Sequence, residues 1–144
     1  MTAEDREKLK LQVMRHEGIR LKPYQDTVGK WTIGVGRNLS DRGITNDEAE
    51  FLLENDLHEC ISDCRNFPWF DALDGVRQRV ICDMRFNLGA SGLRRFRNTL
   101  AAISRADYNA AADGMVRSLW ARQVKGRATA LAAMMRTGQD FYLS

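Results

Sequence analysis

Residues 16–36 decide the fold of this chain, and their sequence is HEGIRLKPYQDTVGKWTIGVG. A glycine at its third position ends a preceding helical pattern. Two runs of aromatic and branched residues follow, over 21–24 and 31–35, and the turn between them begins at Asp26. This order predicts a β-hairpin directly after a helix. Eight residues separate Glu17 from Asp26 and five separate Asp26 from Thr32, so two carboxyl groups and a hydroxyl belong to one local unit.

The two carboxyl groups have different predicted surroundings. Periodicity predicts a helix over residues 3–16, capped by Thr2 with Asp5, so Glu17 lies at a helix end. A carboxyl group at the end of a packed helix tends to lose its solvation and to keep its proton near neutrality. Asp26, on an exposed turn, is expected to be ionised. One protonated and one ionised carboxyl group suit acid and base hydrolysis of a glycosidic bond.

The rest of the chain is predicted to be mostly helical. Thr45 and Glu48 form a capping-box pattern that starts a helix running to about residue 65. The apolar face of that helix is predicted to consist of Ala49, Leu52, Leu53, Leu57 and Ile61. Pro68 interrupts the pattern. Further helices are predicted over 73–88, 93–104, 107–121 and 126–136, with a core of Leu100, Ile103, Met115, Val116, Leu119, Trp120, Leu131, Met134 and Met135.

Length and composition fit one small globular domain. The chain has 144 residues, of which 44% are hydrophobic, and a net charge of +3. It has no apolar run with a length of about eighteen residues, so no membrane span is expected. The charged N-terminus does not have the hydrophobic core of a signal peptide, and none is expected. A basic surface suits attraction to anionic cell walls, and it suits nucleic acid equally.

The cysteines and histidines do not predict a metal site. Cys60 and Cys64 lie one helical turn apart, a spacing that seldom gives relaxed disulfide geometry. We expect three free, partly buried thiols in a reducing compartment, and the alternative is a bridge from Cys82 to one of the others. His16 and His58 each lie on a predicted helix with no second ligand at metal spacing. Neither a metal nor an organic cofactor is expected.

The run from Glu17 to Gly36 resembles the active-site segment of the phage-type lysozymes, glycoside hydrolase family 24. The resemblance covers nearly the whole chain, because residues 43–50 resemble the entry to the family's inter-lobe helix and residues 86–89 resemble its central C-lobe segment. Further matches follow in the family's order at Gly92, Phe96, Asn98, Thr99, Leu100, Trp120, Gln123, Arg127, Arg136, Thr137 and Gly138.

The resemblance implies an α+β fold with two lobes. A small N-terminal β-hairpin lobe, over about residues 17–45, is expected to join an inter-lobe helix over about 46–65. A mainly helical C-lobe over about 66–144 follows, and the N-terminal helix over 3–16 is expected to belong to it.

The resemblance also implies a muramidase, which hydrolyses the β-1,4 bond between N-acetylmuramic acid and N-acetylglucosamine in bacterial peptidoglycan, with inversion at the anomeric carbon. Glu17 is then the general acid, Asp26 orients or activates water, and Thr32 helps to hold that water. Without the resemblance, Thr32 is typical of a residue on a strand face.

Four further residues are placed in the cleft by the resemblance, as substrate-binding groups: Leu39, Phe86, Asn87 and Arg127. Arg127 could also pair with Glu17 across the lobes. Asn87 could contact a sugar amide group or be a residue near the C-terminus of its helix, and both interpretations stay open.

One departure from the T-even members of the family concerns Arg37. Those members have a histidine just after the second hairpin glycine, whereas the acidic position on the inter-lobe helix is kept here as Asp56. We therefore predict an Arg37–Asp56 pair. It should keep its cation between about pH 5 and 8, because a guanidinium group stays protonated.

The family implies a protein that accumulates in the host bacterial cytoplasm until lysis and reaches the periplasm and cell wall through holin-made lesions. We expect a monomer that binds peptidoglycan, without nucleic-acid binding or stable membrane insertion. Two other functions stay open. One is a lysozyme fold that binds wall glycan without cleaving it, and the other is a basic nucleic-acid-binding module that uses the arginines of residues 94–97.

Overall fold

A computed structural model describes residues 1–141 of the chain. The chain divides after Phe51 into two units, Met1–Phe51 and Leu52–Ser144. The first unit contains a three-stranded antiparallel sheet, and the described part of the second is built from helices. This combination confirms the predicted α+β class.

The first unit opens with a helix whose N-terminus is capped as predicted, because Thr2 Oγ1 accepts a hydrogen bond from the Asp5 N–H at 3.1 Å. Its elements are α1, Ala3–Glu17; β1, Arg20–Gln25; β2, Trp31–Gly34; β3, Arg37–Asn38; and α2, Leu39–Arg42. A further helix, α3, Asn46–Cys64, begins in this unit and ends in the second. The sequence does not predict β3 or α2, because elements this short show no periodicity.

The sheet has the strand order β1-β2-β3. Thr32 lies on its central strand, opposite Tyr24 of β1 and Asn38 of β3. The register between β1 and β2 shifts between Arg20 and Tyr24. Pro23 lies in this interval and has no N–H to contribute to the ladder, which accounts for the irregularity. Thr32 is buried whereas its neighbour Trp31 on the same strand is exposed, so the two side chains lie on opposite faces of the sheet.

The second unit is organised around one hydrophobic core. Its elements after α3 are a 3₁₀ turn, Phe70–Ala72, and the helices α4, Gly75–Arg94; α5, Arg97–Ser104; α6, Tyr108–Val116; α7, Leu119–Val124; and α8, Gly126–Thr137. The largest fully buried side chains are Ile81, Met84, Leu93, Ile103, Met115 and Met135. Most of the predicted core is confirmed, since Trp120, Leu131 and Met134 are buried as well.

Two residues predicted for the core are exposed instead, Val116 at 47% and Leu119 at 67%. The helix predicted over 107–121 is two helices, because Ser118 caps α7 by accepting from the Ala121 N–H at 3.1 Å. The helical period is therefore interrupted between Val116 and Leu119. A helical periodicity continued across this break assigns Val116 and Leu119 to the buried face, which is wrong.

The extent of burial along α3 also differs from the prediction. Its buried residues are Cys60 and Cys64, whereas Leu52, Leu53 and Ile61 are exposed. The two cysteines are one turn apart and have small side chains, so they suit close packing in the core. Leu53 lies on the same side of the helix as the two cysteines, so burial of this side is confined to the C-terminal half of α3.

Asp63 connects the end of α3 to both parts of α4. Its carboxylate accepts from Arg85 Nε at 2.7 Å and from Arg94 Nη2 at 2.9 Å. The helix α4 is kinked at Gly89, where φ is 77°, and one arginine lies on each side of the kink. The hydrogen bond from Arg94, followed by the one from Arg85, holds the pKa of Asp63 below its ordinary value. One carboxylate thus fixes the relation between α3 and the kinked helix.

The predicted lobe bounds of 17–45 and 66–144 stay predictions. The same holds for the assignment of the N-terminal helix to the C-lobe.

We expect Ile81→Ala to lower the free energy of unfolding by about 2–5 kcal/mol, because it removes a fully buried side chain and leaves a cavity. Leu119→Ala is the control, and it should change stability by no more than about 0.5 kcal/mol because its side chain is exposed. Urea unfolding followed by circular dichroism measures both. Equal losses would mean that Leu119 belongs to the core after all.

Candidate active site

Glu17 is the last residue of α1. The helix ends there because Gly18 adopts φ 74°, a left-handed value that favours glycine, while its N–H still bonds the Met14 carbonyl at 2.8 Å. The sequence-based prediction of the helix end is therefore confirmed. The expected desolvation is not observed, because Glu17 is exposed.

The Glu17 carboxylate lies against the turn between β2 and β3. A Cβ atom added to Gly36 would lie 3.0 Å from Glu17 Oε2, and Gly36 itself has φ +68°. Any larger residue at this position would therefore strain the backbone and push the carboxylate away. The close approach brings the helix end and the hairpin together, as the spacing in the sequence predicts.

Asp26 holds the β1–β2 turn through its side chain. Its Oδ1 accepts hydrogen bonds from the N–H groups of Val28 and Lys30, both at 2.9 Å. Its own N–H donates to the Lys30 carbonyl at 2.9 Å, and its carbonyl accepts from the Gly29 N–H at 3.0 Å. Oδ2 receives no hydrogen bond from any group in residues 1–141. The carboxylate is thus fixed through one oxygen, and the other is available.

Thr32 is connected to Asp26 through the backbone of Lys30. The Thr32 hydroxyl donates to the Lys30 carbonyl at 3.1 Å, and this is the same carbonyl that accepts from the Asp26 N–H. Thr32 is only 5% exposed. Because its proton is committed to that carbonyl, the Thr32 oxygen is left as an acceptor. The structure therefore brings Asp26 and Thr32 around a single residue.

Arg37 pairs with Glu48, a partner that the sequence analysis does not name, and the Arg37–Asp56 pair stays a prediction. Arg37 Nη1 donates to Glu48 Oε1 at 2.8 Å, and the same oxygen accepts from the Thr45 N–H at 2.9 Å. The capping box at the start of α3 holds the Glu48 carboxylate within reach of Arg37. The Arg37 hydrogen bond, with a smaller contribution from the Thr45 N–H, lowers the pKa of Glu48 to about 2. Asp56 lies farther along α3, in the second unit.

Leu39 is the first residue of α2 and is half-buried. The helix is placed beside the sheet by three side-chain contacts. Asn38 caps it by accepting from the Asp41 N–H at 2.9 Å, Lys30 Nζ bonds Asp41 at 3.2 Å, and Ser40 accepts from the Trp31 N–H at 2.9 Å. The substrate-binding role of Leu39 stays a prediction.

The remaining predicted site residues belong to the second unit and have partners there. Trp120 Nε1 donates to Asn87 Oδ1 at 2.6 Å, so the amide oxygen of Asn87 is occupied. Arg127 pairs with Asp83, with 2.6 Å between Nη2 and Oδ1, and the suggested pairing with Glu17 stays a prediction. Sequence reasoning missed both contacts. The spacing of Asp83 and Asn87, four residues apart on α4, was the available signal that they share a helix face.

An apolar groove of about 970 Å³ is formed by residues of the second unit. Phe86 and Arg127, both predicted to bind substrate, line this groove. Its walls also include Leu53, Leu57, Ile61, Cys82, Leu131 and Met134.

Within residues 1–141, no three His, Cys, Asp or Glu side chains are arranged to hold a metal ion. In that same part of the chain, no helix has the length and apolar character needed to cross a membrane.

The comparisons with known proteins agree on one family. The family model described as phage lysozyme matches residues 14–137. The pre-baseplate central spike protein of Enterobacteria phage T4 is 30% identical over 86% of this chain, which spans only 27% of that protein's length. Probable T4-type lysozyme 1 of Dictyostelium discoideum is 26% identical over 85% of this chain and 89% of its own. An endolysin of Salmonella phage P22 is 32% identical over 77% of this chain and 79% of its own.

We expect Arg37→Gln to raise the pKa of Glu48 from about 2 toward its ordinary value of 4.5, because it removes the largest cause of the shift. Since folding lowers this pKa, the pair stabilises the fold above the unfolded value and loses that effect as the pH falls from 4.5 to about 2. The side-chain carboxyl resonance of Glu48, followed by NMR through an acid titration, measures the shift. Arg42→Gln, which removes an exposed arginine of α2, is the control. An unchanged Glu48 titration in Arg37→Gln would refute the pairing.

Proposed function

We propose that this chain, which belongs to the phage lysozyme family as its sequence predicts, is a muramidase. Its substrate is bacterial peptidoglycan, and the bond hydrolysed is the β-1,4 bond between N-acetylmuramic acid and N-acetylglucosamine. The observation that carries the proposal is the arrangement of Glu17, Asp26 and Thr32 around one hairpin of the first unit.

In this proposal, Glu17 is the general acid that protonates the departing glycosidic oxygen. Its support is its position at a helix end, with the carboxylate directed to the turn that contains Gly36. Protonation of the leaving oxygen by a positioned carboxyl group is a common source of about 10²- to 10⁴-fold acceleration. The exposure of Glu17 leaves it accessible to a polymeric substrate.

Asp26 and Thr32 are assigned to the attacking water. The two N–H groups on Asp26 Oδ1 fix the direction of the carboxylate, and Oδ2 is left to accept a proton of the water. The Thr32 oxygen, whose own proton is given to the Lys30 carbonyl, is the second acceptor. Two acceptors orient one water molecule better than a single carboxylate does, because they restrict its rotation.

We propose that the reaction inverts the anomeric carbon. Water held by Asp26 would attack opposite the leaving group that Glu17 protonates, so the product sugar would have the opposite anomeric configuration. Inverting glycosidases keep their carboxyl groups about 6.5–9.5 Å apart to leave room for this water.

Leu39, Phe86, Asn87 and Arg127 are assigned to glycan binding. Phe86 is 42% exposed and offers an apolar ring to the face of a sugar. Trp120 occupies the Asn87 carbonyl oxygen, so the amide of Asn87 can still donate to a carbonyl of an N-acetyl group.

We propose that the protein is monomeric and acts on the cell wall at the end of infection. It would accumulate in the host cytoplasm, and holin-made lesions would release it to the periplasm. The support is its similarity to relatives that are named endolysins. No nucleic-acid partner and no stable membrane insertion form part of this proposal.

We expect Glu17→Gln to reduce clearing of purified Gram-negative peptidoglycan by at least about 10²-fold, because the amide has no proton to give to the leaving oxygen. Glu7→Gln, on the same helix, is the matched control and should clear like wild type. Wild type should release reducing muramic acid ends. Equal clearing by both variants would show that Glu17 is not the acid. Binding without clearing by folded wild type would favour the glycan-binding alternative.

We expect Gly36→Ala to lower the rate of clearing by about 10²-fold, because the new Cβ displaces the Glu17 carboxylate. Gly43→Ala is the control, since Gly43 has a similar φ of +62° and nothing lies within 4 Å of an added Cβ. Both variants should lose a comparable stability of about 1–2 kcal/mol. Thermal melting and turbidity assays distinguish the two effects. Similar activity in both variants would contradict the proposed role of the Gly36 contact.

A further inference from the structure

The peptide unit between Lys30 and Trp31 lies at the centre of the part of the site assigned to the attacking water. Its carbonyl oxygen accepts two hydrogen bonds, from the Asp26 N–H at 2.9 Å and from the Thr32 hydroxyl at 3.1 Å. Asp26 and Thr32 are the two residues assigned to that water. The direction of this one carbonyl therefore determines where the Thr32 proton points and how the Asp26 backbone is held.

The N–H group of the same peptide unit has a partner outside the hairpin. The Trp31 N–H donates to Ser40 Oγ at 2.9 Å, and Ser40 belongs to α2. A trans peptide unit is planar, so its C=O and N–H groups point in opposite directions. No peptide bond within residues 1–141 is cis. The 30–31 peptide plane is thus held on both sides, by Asp26 and Thr32 at its carbonyl and by Ser40 at its N–H.

A second contact from α2 holds the side chain that precedes this peptide unit. Lys30 Nζ donates to Asp41 Oδ1 at 3.2 Å. Asn38 fixes the Asp41 carboxylate, because its Nδ2 donates to Asp41 Oδ2 at 3.0 Å and its Oδ1 accepts from the Asp41 N–H at 2.9 Å. Two consecutive residues of α2, Ser40 and Asp41, therefore contact two consecutive residues of the hairpin, Trp31 and Lys30.

We infer that Ser40 is a positioning residue of the muramidase reaction, an inference that rests on the proposed function. Ser40 holds the 30–31 peptide plane, so that the carbonyl keeps the Thr32 proton and leaves the Thr32 oxygen to accept a hydrogen bond from the attacking water. If the plane rotated, the Thr32 hydroxyl would lose its acceptor and would be free to turn its proton toward the water. Ser40 acts through the peptide plane, and no contact with substrate is assigned to it.

The exposure of Ser40 separates its positioning role from the stability of the fold. Ser40 is exposed, so in a variant without the hydroxyl a water molecule can accept from the Trp31 N–H, and the loss of stability is small. A mobile water molecule fixes the direction of an N–H group less firmly than a side chain held in a helix. Alanine is also a better helix former than serine, so Ser40→Ala should leave α2 folded.

The test compares Ser40→Ala with wild type on solubilised peptidoglycan fragments, by the release of reducing ends. We expect kcat to fall about 5-fold, which corresponds to about 1 kcal/mol for one hydrogen bond, with KM unchanged within about 2-fold. Ser40→Thr keeps the hydroxyl acceptor and should keep the wild-type kcat. Ser104→Ala is the matched control, because Ser104 is an exposed serine that bonds a backbone carbonyl within α5.

Amide hydrogen exchange gives a readout that does not depend on activity. The Asp26 N–H bonds the Lys30 carbonyl, on the side of the peptide plane opposite to Ser40. Exchange of this amide should be faster in Ser40→Ala by at least about 3-fold, because the carbonyl that protects it is less firmly held. The exchange rate should stay at the wild-type value in Ser40→Thr and in Ser104→Ala.

Three results would overturn the inference: an unchanged kcat in Ser40→Ala, an equal loss of kcat in Ser40→Ala and Ser40→Thr, or an Asp26 exchange rate that does not respond to Ser40→Ala. A folded but inactive wild type would overturn the muramidase proposal and the inference with it. An active wild type combined with any of the three results would overturn the inference alone. The two failures are therefore distinguishable.

Discussion

The first unit depends on the hydrogen bonds that the Asp26 carboxylate makes to its own turn. Two backbone N–H groups, those of Val28 and Lys30, bond the same carboxylate oxygen. The Lys30 carbonyl in turn accepts from the Asp26 N–H and from the Thr32 hydroxyl. The bonds that close the hairpin are therefore the bonds that orient the two groups assigned to the attacking water. Folding of the hairpin therefore also orients the Asp26 carboxylate and the Thr32 hydroxyl, because neither side chain needs a hydrogen-bond partner outside the turn and its strands.

Glu17 is positioned by a different physical principle, the absence of side chains at two glycines. Gly18 allows the helix to end in a backbone conformation that other residues avoid, and Gly36 leaves space for the carboxylate against the β2–β3 turn. Hydrogen bonds fix Asp26 through its acceptor oxygen. Glu17 lies beside the hairpin because Gly36 has no side chain to exclude its carboxylate. Glu17 is consequently exposed and less constrained than Asp26 and Thr32.

The sequence predicts the local features well because the interactions that produce them span only a few residues. The caps at Thr2 and Thr45, the helix end at Gly18 and the hairpin turn are all of this kind. Pairings of distant residues could not be predicted in the same way. Arg37 bonds Glu48, a pairing that the sequence did not predict, because the capping box fixes the Glu48 carboxylate within its reach. Arg127 bonds Asp83, a pairing that depends on how α8 packs on α4. The family resemblance predicts the order of residues along the chain, whereas ion pairs between distant residues depend on the tertiary fold.

The α3 helix shows what hydrophobic periodicity can and cannot predict. Leu53 and Leu57 recur at helical spacing with Cys60 and Cys64, so these four residues lie on one side of α3. Only the two cysteines are buried, so this side is covered in the C-terminal half of the helix alone. Leu53 and Leu57 line the open groove instead. Asp63, in the same C-terminal half, bonds Arg85 and Arg94 of α4. Periodicity therefore identifies the apolar side of a helix, whereas the packing of elements distant in the sequence determines how much of its length is buried.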